Sequence, residues 1–334
     1  MRLRPGLRVL TRTNGEVQVG TDPRWAVRLD GLTERETAAV LALGAGADSD
    51  QLAAGTGARL AQLATLLRDA GLAAPDRRSP AVLGPAAADA TVCGLLRPDG
   101  DGARVVDARR AAVVGVVGLG PIGLATAGTL AAAGVGTVLV DDASPVRSVD
   151  VGVCGYRWSD VGSVRERAAA RVLRDIAPDV RTDSSAEPDV VVVVEHGAAD
   201  PARTELLLGT GTVHLPVLVR EADAVVGPLV VPGTGPCLRC LDLHRADADP
   251  CWPRIVAQLV GAPPAAEVGA MAVVCAGLAA AAVLRAVDDP PARTRLRTGA
   301  TFEVGLPDVL PRTRTWEVHP DCGCTSHGAA AVAG

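Results

Sequence analysis

The first 75 residues alternate apolar and polar positions and then shift to a helical period. Residues 7–12 and 16–20 flank Asn14-Gly15, a strong short hairpin signal because both residues tolerate positive φ. Trp25, Val27 and Leu29 alternate with Ala26 and Arg28 and predict a third strand. Thr33 and Glu36 have the spacing of a capping box at a helix start. A short helix is expected after Asp48, and a third over residues 59–70, closed by Gly71. Three strands and three helices in so short a stretch describe a small winged-helix-like α+β domain over residues 1–75. Residues 76–105 are rich in Pro, Ala, Gly and Asp with little periodicity, and read as a linker.

From residue 106 to 334 the pattern becomes strand, glycine loop, helix, strand. Residues 112–117 form a continuous apolar run, as in a strand buried on both faces. A helix over 121–133 and a strand over 136–140 follow. Further elements are a helix over 163–176, a strand over 189–194, a helix over 202–208 and a strand over 214–219. This alternation predicts an α/β fold, a Rossmann-like doubly wound and mostly parallel sheet. A long helix over 265–286 and two late strands near Thr301 and Trp316 complete it.

The most apolar run, residues 268–284, falls short of the roughly 20 residues a membrane span needs, so a buried helix is expected. The first ten residues lack the apolar stretch of a signal peptide, which predicts a cytoplasmic protein. A net charge of −5 gives no electrostatic reason to expect nucleic acid or an anionic membrane as partner. One Phe and one Tyr leave little for base stacking. All 33 Lys-plus-Arg positions are arginine, so no step can use a lysine ammonium or Schiff base.

Gly118, Gly120 and Gly123 form a GxGxxG between a strand and a helix. The first allows a tight turn, the second lets a phosphate approach the backbone, and the third lets helix pack on strand. Asp141 and Asp142 end the next strand, where a carboxylate can hold a ribose hydroxyl. The motif does not choose among NAD, FAD and ATP. Without export, the eight cysteines point to metal or free thiols. Cys237 and Cys240 form a CxxC, suited to two vertices of a tetrahedral zinc site, and Cys322 and Cys324 a second close pair. The alternative is a redox CxxC beside an unrelated CxC. Cys275 reads as core. Cys154 and Cys251 are imaginable nucleophiles, although no neighbouring His or basic cluster in sequence would activate them.

Residues 110–325 resemble the ThiF/MoeB family, related to ubiquitin-activating enzymes. Val161-Gly162 and Ile176-Ala177-Pro178 keep the spacing of that family's Val-Gly-x-x-Lys and Ile-Asn-Pro segments. The resemblance implies a structural zinc on Cys237, Cys240, Cys322 and Cys324. The departures bear on activity. Residues 149–154 replace the family's Asn-Leu-x-Arg-Gln segment, Arg165 stands at the phosphate-gripping lysine, and Glu195-His196-Gly197 replaces a loop with a magnesium-binding Asp. Arg157, Arg165 and Glu195 are the groups that could partly substitute.

The small first domain joined to such a domain, with the segments around Cys237 and Cys251, resembles the cyclodehydratase ThiF-like (TOMM) leader-peptide-binding proteins. That resemblance implies a non-catalytic scaffold that presents a ribosomal precursor peptide to a YcaO-type partner for thiazoline or oxazoline formation. It places the leader peptide beside the third strand at Trp25, Val27 and Leu29, against Leu63 and Leu67. Cofactor-site residues would be Gly118, Gly120, Gly123, Asp141, Asp142 and Arg165, and a homodimer is expected. The alternative is an ATP-dependent adenylyltransferase acting on a peptide or carrier-protein C-terminus, with ATP as cofactor.

Overall fold

The structure is a computed structural model and describes residues 1–52, 57–75, 80–288 and 299–325. It divides into two compact units, Met1–Asp107 and Ala108–Gly334.

In the first unit, β1 (Val9–Thr13), β2 (Glu16–Val19) and β3 (Val27–Leu29) form an antiparallel sheet in that order. Alternation sends Val17, Val19 and Leu29 inward, where they meet Leu3, Leu7, Val40, Leu43, Leu67 and Leu72. In the hairpin turn only Gly15 takes positive φ, at 76°, and the β1–β2 register shifts between Thr11 and Thr13. A bulge therefore does the work expected of a two-residue turn with both φ positive. Helix α1 (Glu34–Gly44) opens with the expected capping box: Thr33 N–H donates to Glu36 Oε2 at 2.8 Å, and Glu36 N–H donates to Thr33 Oγ1 at 3.3 Å. Helices α2 (Ser49–Leu52) and α3 (Gly57–Asp69) follow, with Gly71 at φ +74° just beyond.

The stretch 76–105, expected as a linker, instead carries α4 (Ala87–Leu96) and the start of α5 (Ala103–Ala111). Its alanines are good helix formers, and the C-terminal carbonyls of α4 find a distant partner. The buried Arg4 guanidinium donates to Gly94 O at 3.1 Å, Arg97 O at 2.6 Å and Pro98 O at 2.8 Å. No local pattern could show a cap supplied from 90 residues away.

The second unit is built on a seven-stranded sheet. Its strands are β4 (Val113–Val117), β5 (Thr137–Asp141), β6 (Val190–His196), β7 (Val213–Val219), β8 (Asp223–Val226), β9 (Ala300–Gly305) and β10 (Pro311–Thr315), in the order β10-β9-β8-β7-β6-β4-β5. The pairs β4–β5, β4–β6 and β6–β7 are parallel; β7 to β10 continue antiparallel. The connecting helices are α6 (Pro121–Ala132), α7 (Arg165–Ile176), α8 (Pro201–Gly209), α9 (Leu238–Ala248) and α10 (Trp252–Leu259). The apolar run falls in α11 (Gly269–Asp288), close to the expected helix, and its 20 residues are long and apolar enough to cross a membrane. The helix is half buried in the fold, and Met271, Cys275, Ala279 and Val283 join the main core. Burial between sheet and α6 accounts for its hydrophobicity.

Candidate functional site

Chain direction explains where the site lies. The strand after β4 adds on one side of it as β5, and the next adds on the other side as β6, so loops at their C-terminal ends part and leave a crevice. A 420 Å³ cavity sits there. Val117, Pro145, Val194 and Pro264 give it apolar walls, Asp141, Asp142, Arg147, Arg165 and Arg203 charged ones, and His196 an imidazole.

The glycine turn forms as the sequence predicts. Gly118 has φ +82°, and a Cβ there would lie 2.4 Å from Val194 O. Gly118 and Gly120 line the cavity; Gly123 instead lets α6 pack closely, a Cβ there lying 1.9 Å from Gly118 O.

Two backbone donors of this turn, however, are spent on the protein's own carboxylates. Leu119 N–H donates to Asp142 Oδ2 at 2.8 Å. Ile122 N–H, in the first turn of α6, donates to Glu267 Oε2 at 2.7 Å. The other oxygen of Glu267 lies 3.2 Å from His196 Nε2, and its side chain is only 3% exposed. Sequence reasoning missed Glu267. The available signal was a lone carboxylate at the threshold of the most apolar stretch of the chain.

Arg165 lies at the start of α7, nine-tenths buried, with Nη1 2.9 Å from Asp142 Oδ2 and Nη2 2.6 Å from Asp150 Oδ2. Asp150 also accepts from Arg147 N–H at 2.8 Å and from its guanidinium at 3.1 Å. Burial works against ionising Asp142 and Asp150. Hydrogen bonds outweigh it, chiefly from Ser144, Leu119 and Arg165 to Asp142 and from Arg165 and Arg147 to Asp150, and hold both below the usual carboxylate range. Of the expected ribose ligands, Asp141 is exposed at the cavity rim, whereas Asp142 is turned to the loop and Arg165. Arg157 is two-thirds exposed, 3.9 Å from Asp175, and is not among the residues lining the cavity. Glu195 accepts from Asp200 N–H at 3.2 Å, and burial pushes its carboxyl up.

The four expected metal ligands converge. Sγ of Cys237 lies 3.7 Å from that of Cys322 and 3.9 Å from that of Cys240, and Cys240 and Cys324 are 3.5 Å apart. A tetrahedron with metal–sulfur bonds of about 2.3 Å has edges of roughly 3.8 Å, so the spacing fits a four-thiolate metal site and far exceeds a disulfide bond. Cys237 stands at the N-terminus of α9, and Leu238, Leu241 and Trp316 pack a small core around the sulfurs. Burial and neighbouring thiols push Cys237 up to about 11. For Cys240 burial also opposes ionisation, but backbone amides of His319 and Cys237 bring it below the ordinary thiol value. His244, Asp247 and His319 cluster nearby. His319 Nδ1 accepts from Asp321 N–H at 3.1 Å, which leaves its proton on Nε2, 2.9 Å from Asp247. That tautomer makes a His–carboxylate pair, not a metal ligand.

Among the remaining cysteines, burial, followed by the charge of Glu267, raises Cys154, and burial pushes Cys275 up to about 12. Neither is an activated thiolate. Cys251 is exposed at the start of α10.

In the first unit β3 is an edge strand, bonded to β2 alone among the described strands. Trp25, Val27 and Leu63 are part-buried against the core of this unit, but Leu29 and Leu67 lie within it, at 4% and 0% exposure. Those two side chains are consumed by packing and do not line a groove.

A parallel sheet with a glycine turn at its switch point and a four-cysteine cluster beyond it defines a Rossmann-type domain. Comparison supports this: residues 100–200 match the ThiF family. Searched against curated proteins, the sequence finds no match. Among solved structures it is similar to E. coli MccB with ATP, at 16% identity and a TM-score of 0.69, over 97% of this chain and 98% of that one. It is similar to the microcin C7 biosynthetic enzyme MccB in complex with N-formylated MccA, at 16% identity and a TM-score of 0.68, over 97% and 99%. It also resembles PaaA, at 15% identity and a TM-score of 0.66, over 93% and 98%. At such identities the shared property is the fold.

Proposed function

We propose that the protein is a non-catalytic, peptide-binding platform. Residues 1–75, a winged-helix-like domain in this reading, hold the leader of a ribosomal precursor peptide by adding it as a strand along the free edge of β3. Trp25, Val27 and Leu63 contribute the side-chain contacts. The ThiF-type domain, stapled by zinc on Cys237, Cys240, Cys322 and Cys324, presents the peptide to a YcaO-type cyclodehydratase that forms thiazolines or oxazolines, and it pairs as a homodimer. Four thiolates leave zinc no open position, so its role is structural.

The observation that carries this reading is the capture of Arg165 by Asp142 and Asp150. Nucleotidyl transfer needs cations aimed at developing negative charge, and losing one such group typically costs about 2.7–4 kcal/mol of transition-state stabilisation. Here the cation at the gripping position is neutralised within the fold. The likeness to MccB structures that contain MccA supports a peptide as the partner.

The test is titration of a labelled candidate leader peptide, followed by fluorescence anisotropy. Val27→Pro, which removes a backbone donor from β3, is expected to weaken binding at least tenfold while the thermal melt of the second unit stays in place. Unchanged affinity would count against strand addition.

The second reading is ATP-dependent adenylation of a peptide or carrier-protein C-terminus. The retained glycine turn, Asp141 and the cavity at the switch point favour it, as does the likeness to MccB with ATP. Exchange of labelled pyrophosphate into ATP separates the two readings.

A further inference from the structure

The cavity beneath the glycine turn has no role in peptide capture, yet it is built. A carboxylate from 145 residues further along the chain reaches back to the first turn of α6 and bonds Ile122 N–H. At Gly120 a Cβ would lie 2.1 Å from Glu267 Oε1, so this carboxylate touches the backbone of the second glycine of the motif. That is where a dinucleotide fold lets a phosphate approach, at the positive end of a helix. Glu267 is buried there, and His196 faces its second oxygen.

The other charges around the cavity agree with an occupied anion seat. Arg165 is held by Asp142 and Asp150, Arg147 by Asp150, and Arg203 lies 3.5 Å from Glu195. Each cation already faces a carboxylate of the same chain, and Asp141 and Glu267 add negative charge. A polyphosphate entering here would meet like charge in a partly desolvated space, where screening is weak. What remains for a ligand is neutral recognition. Asp141 stands exposed at the end of β5, where a carboxylate can accept from ribose hydroxyls. Val117, Pro145, Val194 and Pro264 supply apolar surface for a base.

We infer that Glu267 is an internal substitute for nucleotide phosphate, so that the cavity takes an uncharged nucleoside, probed here with adenosine, and turns polyphosphates away. This deepens the platform reading and rests on it, since a platform has no use for the triphosphate.

The test is calorimetric titration of the full chain with adenosine, with ATP and with inorganic pyrophosphate, for the native protein and for Glu267→Gln. The native protein is expected to bind adenosine at least tenfold more tightly than ATP, and pyrophosphate not measurably. Glu267→Gln, which keeps the shape and removes the charge, is expected to tighten ATP at least tenfold and to leave adenosine within about twofold. Equal or tighter native binding of ATP, absence of adenosine binding, or an unchanged ratio in a folded Glu267→Gln would each overturn the inference. If that variant does not fold, the native affinity order decides alone. Tight ATP binding without pyrophosphate exchange would end this inference and leave the platform reading intact. Exchange would end the platform reading instead.

Discussion

Nη2 of Arg165 lies 2.6 Å from Oδ2 of Asp150, a carboxylate whose side chain is 1% exposed. The pair couples the start of α7 to the segment that follows β5. It also pairs a cation of the cavity wall with a carboxylate of the same chain.

Asp150→Asn leaves that guanidinium with one charged partner in a buried setting. Breaking a buried pair typically costs about 3–5 kcal/mol. With Asp142 still in place at 2.9 Å, the loss should fall at the lower end, about 3 kcal/mol by urea denaturation. A loss within 0.5 kcal/mol, the usual range for surface substitutions, would show that the pair contributes little.

The same carboxylates set an acid limit. Asp142 and Asp150 are held below their ordinary values in the fold. Their contribution to stability is therefore full above the unfolded Asp value of about 3.9 and is lost as pH falls through the folded values. Urea midpoints should fall steeply below about pH 4 in the native protein. The slope should be shallower in Asp150→Asn; parallel profiles for the two proteins would contradict the assignment.

Metal removal should act as a destabilisation and not as a local change. The four thiols share one small core with Trp316 and Leu241, and metal binding at such a site is folding free energy. Purified protein should carry close to one zinc per chain. A strong chelator should lower the melting temperature, and Cys240→Ser should reproduce that loss without chelator. A metal-free protein with an unshifted melt would remove the zinc from this account.

Arg4 replaces a linker with ordered structure. Its guanidinium serves the C-terminal carbonyls of α4, so Arg4→Leu leaves buried acceptors unpaired at about 1–3 kcal/mol. Hydrogen exchange should show α4 amides losing protection while β4 and β6 amides keep theirs. Unchanged protection in α4 would mean that its own sequence suffices.

How much was legible follows the range of the interactions. The β4–α6–β5 unit, the capping box of Thr33 and Glu36, and the two cysteine pairs are local patterns, and each stands where its spacing implied. Strand β8 is four residues long and α4 lacks a side-chain N-cap, so neither had a local signature. Leu29 and Leu67 show the opposite failure. Apolar residues beside an edge strand suit a groove and a core equally, and only packing decides. Glu267 and Asp150 act on partners 145 and 15 residues away. Their meaning depends on which loops the sheet topology brings together.

ATP–pyrophosphate exchange by the purified full-length chain with magnesium, alone and with a peptide substrate, bears most directly on the central claim. With Arg165 held between two aspartates, label incorporation should stay at the level of a protein-free control, and Gly120→Val should leave it there. Sustained exchange that the Gly120→Val variant abolishes would contradict the account and establish an adenylating enzyme.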